Sequence, residues 1–238
     1  MHLQLNNSKI NSFTNVTITG SKSESNRLLL LKALFNSLEL QNVSNSDDSQ
    51  YMVEALSTES DTVNVHHAGT AMRFLTAYFS VQQGREVILT GSHRMQNRPI
   101  SILVDALRSL GAEITYEKKE GYPPLKIKGK DISKTRVKIQ GNVSSQYISS
   151  LLLIASKLEN GLEIELIGKI TSVPYIKMTL SLLTQLGIEN KFEGNFIKVF
   201  PKTEIQKQTI VVESDWSSAS YFYSIVALSK IGSEITLS

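Results

Sequence analysis

The residues of this chain best suited to chemistry are cations set among small and hydroxyl residues where β-type runs give way to helical ones. One group is Gly20-Ser21-Lys22-Ser23-Glu24-Ser25-Asn26-Arg27; its echo is Ala68-Gly69-Thr70-Ala71-Met72-Arg73. The runs before them are Val16-Thr17-Ile18-Thr19 and Val63-Asn64-Val65, and an apolar helical run follows each. A cation in or near a first helical turn opposes the macrodipole, which favours negative charge there. An anionic ligand over the open backbone N–H groups removes the conflict. On this reading Arg27 is an uncompensated cation whose loss costs the ligand and little of the fold. The plainer alternative is a set of ordinary capped helices with solvated cations.

The chain has only seven arginines, and four lie in or beside such segments. Arg94 and Arg98 belong to Gly91-Ser92-His93-Arg94-Met95-Gln96-Asn97-Arg98-Pro99, which runs into a helix start. The planar guanidinium can bond two oxygens of a carboxylate or phosphate at once. The other reading of Arg94 and Arg98 is a pair of loop cations serving acidic neighbours. Two further junctions, Gly141-Asn142-Val143-Ser144-Ser145-Gln146 and Thr171-Ser172-Val173-Pro174-Tyr175, add hydroxyls and an amide. Each serine by itself reads as an N-cap. Repetition changes the weighing, because equivalent helix starts tend to face one side of a domain. That face would carry N–H donors, hydroxyls, Lys22, Arg27, Arg98 and Gln146, a surface for a polyol bearing phosphate and carboxylate.

Other signals are weak. His66-His67 has no third ligand in view and, on a strand, would point to opposite faces, so no metal site is assigned. Asp47-Asp48 reads as the cap of a helix over 49–56, Lys118-Lys119-Glu120 as a solvated turn, and Trp216 as core or domain packing. No P-loop, dinucleotide fingerprint or Ser–His–Asp order is present.

The elements that position these residues repeat. Small or hydroxyl residues, aliphatics, Ala and a β-run recur at 25–43, 70–89, 145–167 and 217–237. A second helical pattern interleaves, with Pro99 and Pro174 near its starts and Gly111 and Gly187 at its ends; a shorter version begins at Tyr51-Met52. Strands are expected over 113–116, 125–128, 136–140, 163–166, 196–200 and 209–212. The expected class is α/β, built from βαβαββ units. The fourth copy stops inside its unit, which predicts a piece of a longer chain.

The 238 residues are enough for one large domain or two small ones. With 41% hydrophobic and 20% charged residues the chain can bury a core. A net charge of +3 suits an anionic metabolite and is too weak to argue for nucleic acid. The absence of cysteine excludes disulfides, a thiolate nucleophile and Cys-ligated metal. The N-terminal run Met1-His2-Leu3-Gln4-Leu5-Asn6-Asn7 does not read as a leader, and no apolar run approaches membrane length, so a cytoplasmic location is expected.

Taken together, Gly20 to Ser23 with Asn26-Arg27, Ala68 to Arg73, Arg94-Met95 with Arg98-Pro99-Ile100, Tyr122-Pro123-Pro124-Leu125, Val143 to Gln146 and Ser217-Ser218-Ala219-Ser220-Tyr221-Phe222 resemble the signatures of the 5-enolpyruvylshikimate-3-phosphate (EPSP) synthase family, in that family's order. The resemblance implies an inside-out, barrel-like α/β domain of the enolpyruvyl-transferase type over residues 20–213. Residues 1–19 and 214–238 would be a stub of a second, similar domain. It implies transfer of the enolpyruvyl group of phosphoenolpyruvate to the 5-hydroxyl of shikimate 3-phosphate, releasing phosphate, in the shikimate pathway to chorismate and the aromatic amino acids. Neither metal nor cofactor is implied, and the full-length protein is expected to be a monomer.

By matching motif, Lys22, Ser23, Arg27, Ser144, Ser145, Gln146, Ser172 and Tyr175 would hold shikimate 3-phosphate. Lys22, Gly69, Thr70, Arg98 and Gln146 would hold phosphoenolpyruvate. The family's acid–base carboxylates match nothing here, Asp215 included, so this chain alone is expected to lack turnover. A second departure is His67, where the family usually has Asn. The alternatives are the related UDP-N-acetylglucosamine enolpyruvyl transferase, which typically has Asn after the motif lysine and a loop Cys, and a non-catalytic binding module for a sugar-acid phosphate.

Overall fold

The computed structural model describes residue 4 and residues 13–238. The N-terminal run read above as no leader lies outside the described residues except for Gln4. In chain order the elements begin β1 (Phe13–Val16), α1 (Lys22–Leu34), β2 (Leu38–Gln41), α2 (Asp47–Ser57), β3 (Thr62–Asn64), α3 (Gly69–Ser80) and β4 (Glu86–Thr90). A single 3-10 turn at Met95–Asn97 leads to α4 (Ser101–Leu110), β5 (Glu113–Tyr116), β6 (Leu125–Lys128), β7 (Arg136–Gln140), α5 (Ser145–Ala155) and β8 (Leu162–Ile167). The chain continues through α6 (Val173–Gln185), β9 (Asn190–Glu193), β10 (Phe196–Val199), β11 (Gln208–Val211), α7 (Trp216–Ala227) and β12 (Glu234–Leu237).

Two kinds of residue pattern put helices in the middle and sheets outside. Helices α3 and α5 are buried along nearly their whole length, and α1 is buried from Ser25 to Leu31. Helices apolar on all sides belong inside a core. The strands instead alternate: β7 and β8 bury every second residue, as half-covered sheets do. Leu28, Leu30, Phe74, Leu75, Leu151 and Leu152 are fully buried between the layers. Each such side chain contributes about 1.5–3 kcal/mol of transfer free energy. Helix α4 stops at Gly111, whose φ of 111° is left-handed and suits glycine.

The repeat is real but uneven. β3 and β4 pair in parallel around α3, and β6 and β5 extend that sheet antiparallel. β7, β8, β10 and β9 repeat the arrangement around α5. The first unit departs from the βαβαββ expectation: α2 runs on to β3 with no hairpin between them. Its first strand is not the run 16–19 either. The strand beside β2 is β11, from the far end of the sequence, while β1 ends at Val16 and pairs in parallel with β12.

The two ends of the chain therefore exchange strands, and the exchange is pinned at one point. Gly20 bridges Ser214, the Ser21 N–H donates to the Glu213 carbonyl (2.7 Å), and the Asp215 N–H donates to the Thr19 carbonyl (2.9 Å). A side chain on Gly20 would run into the Asn42 carbonyl, so the close crossing requires glycine. The buried cluster that fills the molecule runs from Leu28 to Val212 and includes no residue of β1, α7 or β12. Helix α7 buries only Ala219. Trp216 is 65% exposed, and its indole N–H donates to Glu213 Oε1 (3.1 Å), so of its two expected places, core or domain packing, the core is ruled out.

Candidate anion-binding site

Hydrogen bonds within the first two turns of α1, α3, α5 and α6 tie these helices together. Ser21 caps α1, its side chain accepting from the Glu24 N–H, and Ser144 caps α5, accepting from the Gln146 N–H. Gln146 Nε2 donates to Thr70 Oγ1 (3.1 Å), tying α5 to α3. Arg27 Nε donates to Thr179 Oγ1 (2.8 Å) and Nη2 to Ser149 Oγ (3.0 Å), tying α1 to α6 and α5.

Arg27 is not the exposed first-turn cation expected from the sequence. It lies in the second turn, is 3% exposed, and its Nη1 donates to the Ser23 carbonyl (2.6 Å). The Phe74 and Tyr175 ring centroids stand 5.4 and 5.9 Å from its Cζ. Burial lowers its pKa to about 10, which Tyr175 partly opposes. It stays charged at neutral pH, and no carboxylate of the described residues pairs with it. Three of its five N–H groups are engaged, all by neutral oxygens.

At α3 a second cationic point forms. A Cβ on Gly69 would lie 3.1 Å from Arg98 Cζ, so the missing side chain is what lets this guanidinium lie over the helix start. Beneath it Arg73 is 4% exposed and bonds the Gly69 and Pro99 carbonyls (3.1 and 3.2 Å). Burial lowers the Arg73 pKa; Tyr147 opposes the shift, and the charge of Arg98 adds to it. A buried guanidinium with a second one beside it is a place where a bound anion relieves repulsion.

Some expected groupings are corrected. Asp47 and Asp48 are not caps but the first two residues of α2, whose N-cap is Ser46. Asp48 Oδ1 instead accepts from the Thr70 N–H (3.3 Å). His66 and His67 lie in a turn, not on a strand; they flank the Tyr51 ring, and His67 Nε2 is 3.3 Å from Asp47 Oδ2. Ser172 caps α6 in a left-handed conformation (φ 55°) with no side-chain cap bond, a strained pose for a non-glycine residue. It is exposed, as are Lys22 and Ser144, and Tyr175 is 46% exposed. Ser149, Thr179, Tyr147 and Asp48 were missed. The signal for the first two was helical spacing, one turn beyond Ser145 and Tyr175.

A separate cleft of about 340 Å³ sits at the strand exchange, lined by Ile18, Asp215, Trp216 and Tyr223 among others.

The chain is an α/β repeat domain with its helices inside its sheets, and it gathers helix starts, hydroxyls and two buried guanidiniums near one end. The family model for EPSP synthase (3-phosphoshikimate 1-carboxyvinyltransferase) matches residues 56–238, and the chain belongs to that family. A 3-phosphoshikimate 1-carboxyvinyltransferase of Bacteroides fragilis (strain YCH46) is 46% identical over 215 residues, covering 90% of this chain and 52% of that protein. One from Haemophilus influenzae (strain PittEE) is 41% identical over 244 residues, covering 90% and 56%. A solved EPSP synthase from Acinetobacter baumannii shares the fold, with a TM-score of 0.74 at 22% identity over 88% of this chain and 52% of that one. The chain thus spans about half the length of the curated relatives it matches.

Proposed function

We propose that this chain forms the shikimate 3-phosphate face, and part of the phosphoenolpyruvate clamp, of a 3-phosphoshikimate 1-carboxyvinyltransferase. In the reaction the 5-hydroxyl oxygen of shikimate 3-phosphate bonds to the enolpyruvyl carbon, the carbon–oxygen bond to phosphate breaks, and inorganic phosphate leaves, taking up in the net balance the proton that the hydroxyl loses. Lys22, Ser23, Arg27, Ser144, Ser145, Gln146, Ser172 and Tyr175 hold shikimate 3-phosphate. Lys22, Gly69, Thr70, Arg98 and Gln146 hold phosphoenolpyruvate, Lys22 and Gln146 touching both. Residues 20–213 act as one repeat domain, and 1–19 with 214–238 belong to a second. The full-length protein works as a cytoplasmic monomer without nucleic acid, membrane, metal or cofactor.

The observation that carries this reading is Arg27, charged, buried and without a counter-charge among the described residues. Burying an unpaired charge is costly, and an anionic ligand recovers that cost. The contribution to rate from this half is electrostatic orientation of two polyanions. It supplies no matched acid–base carboxylate, so the chain alone turns nothing over.

Titration calorimetry of the chain with shikimate 3-phosphate tests the reading. Weak, saturable binding that falls with Lys22→Ala and Ser145→Ala is expected. No heat with the wild-type chain, or binding indifferent to both substitutions, rules it out.

A further inference from the structure

We propose that Thr179 is a positioning residue, and that with Ser149 it sets the Arg27 guanidinium and the first turn of α6 as one unit. The inference rests on the reading of Arg27 and Tyr175 as shikimate 3-phosphate contacts and adds a residue that acts through them.

The hydrogens available fix the direction of every bond in this cluster. Thr179 Oγ1 lies 2.8 Å from Arg27 Nε, 2.9 Å from the Tyr175 carbonyl oxygen and 2.9 Å from Ser149 Oγ. Arginine has no acceptor, so Thr179 accepts from Nε. A carbonyl has no hydrogen to give, so the one hydroxyl hydrogen of Thr179 goes to Tyr175. Ser149 must then be the donor to Thr179, which leaves the Ser149 oxygen to accept from Arg27 Nη2 at 3.0 Å. Every hydrogen in the ring has one place.

Two consequences follow. Both hydroxyls present lone pairs to the guanidinium, which fixes its plane between Phe74 and Tyr175. One hydrogen on Nη1 and one on Nη2 remain without a described acceptor, so both terminal nitrogens keep a donor for an anion. The same Thr179 hydrogen holds the Tyr175 carbonyl, so the guanidinium and the Tyr175 turn cannot be reoriented separately. Thr179 and Ser149 are both fully buried, so water cannot replace either hydroxyl without repacking.

The test compares wild type, Thr179→Ser, Thr179→Val and Ser149→Ala in the 238-residue chain. It uses arginine side-chain NMR of the Nε–H signals, shikimate 3-phosphate calorimetry and urea melts. In wild type and Thr179→Ser the Arg27 Nε–H should exchange slowly with water and binding should be alike. Valine matches threonine in shape but lacks the hydroxyl; it should abolish the slow exchange and weaken binding by about tenfold. Thr179→Val with wild-type exchange and affinity, or Thr179→Ser as damaged as Thr179→Val, would overturn the proposal. If the melt shows Thr179→Val unfolded, Ser149→Ala decides: faster Nε–H exchange with weaker binding supports the network, and neither change refutes it. A wild-type chain that binds no shikimate 3-phosphate sinks the functional reading, while the Nε–H exchange still judges the network.

Discussion

The Gln146 side-chain amide donates to the Thr70 hydroxyl across 3.1 Å, so residues 76 positions apart share one hydrogen bond at the mouth of the site. Both belong to first helical turns, and both are residues of the proposed phosphoenolpyruvate clamp. In a double-mutant cycle of Thr70→Val and Gln146→Ala, urea melts should show a coupling of about 1 kcal/mol. Additive effects would mean that the bond contributes nothing to fixing α5 against α3.

Arg27→Ala should be expensive for the fold. It removes three hydrogen bonds and a side chain that is 3% exposed, and its loss should cost about 2–4 kcal/mol in a urea melt. Arg27→Lys keeps the charge but loses the fork that reaches Ser149 and Thr179 together. It should fold with less damage and still bind shikimate 3-phosphate poorly. Wild-type affinity in the lysine variant would show that charge alone suffices.

Gly69→Ala separates stability from binding. The new methyl first meets the end of the exposed Arg98 side chain, which can move, and alanine loses less backbone freedom on folding than glycine. Thermal stability should hold or rise, while phosphoenolpyruvate binding falls because Arg98 is pushed off the helix start. A tightened phosphoenolpyruvate complex would contradict the placement of Arg98.

Asp215 should leave a mark on the acid limb of stability. Burial pushes its carboxyl up, but the N–H groups of Ser218, Lys22 and Ser217 and the Ser217 hydroxyl outweigh that and hold it below the usual 3.8. A carboxyl with a depressed folded pKa contributes stability that is present above the unfolded pKa and lost as pH falls through the folded one. Asp215→Asn should therefore flatten the decline in stability below about pH 4 and change the neutral melt less. An unaltered acid limb would refute the bonds assigned to it.

Trp216 is the only tryptophan in the chain and is 65% exposed. Its fluorescence should resemble that of a solvated indole. Adding a polypeptide that corresponds to the remaining half of the relatives should shift the emission to shorter wavelength and restore phosphate release. No shift and no activity would count against assigning α7 to a second domain.

The helix starts and sheet strands were legible because each rests on local signals: Ser144 as a cap, Gly111 as a stop, the alternation of β7 and β8. What escaped was set by distant partners. Nothing in the sequence around Val16 says that its pairing partner is Leu237, and nothing near Leu38 announces Gln208. The surroundings of Arg27 are hidden from the sequence for the same reason. Thr179 and Ser149 lie 152 and 122 residues away, so a cation that looks solvated in sequence is buried in the fold. Among the site residues, their types followed from the motifs, while Asp48 on the Thr70 N–H required the packing of α2 against α3.

The strand exchange at Gly20 also bears on the order of assembly during synthesis. β2 can acquire its neighbour only after β11 has left the ribosome, and the Asn42 amide reaches the Val212 carbonyl across a separation of 170 residues. The units around α3 and α5 draw on nearby sequence and can form while translation proceeds. The unit made first is closed last, so a nascent chain carries an open β2 edge until residue 211 emerges, and a stall before that point leaves a sticky template exposed.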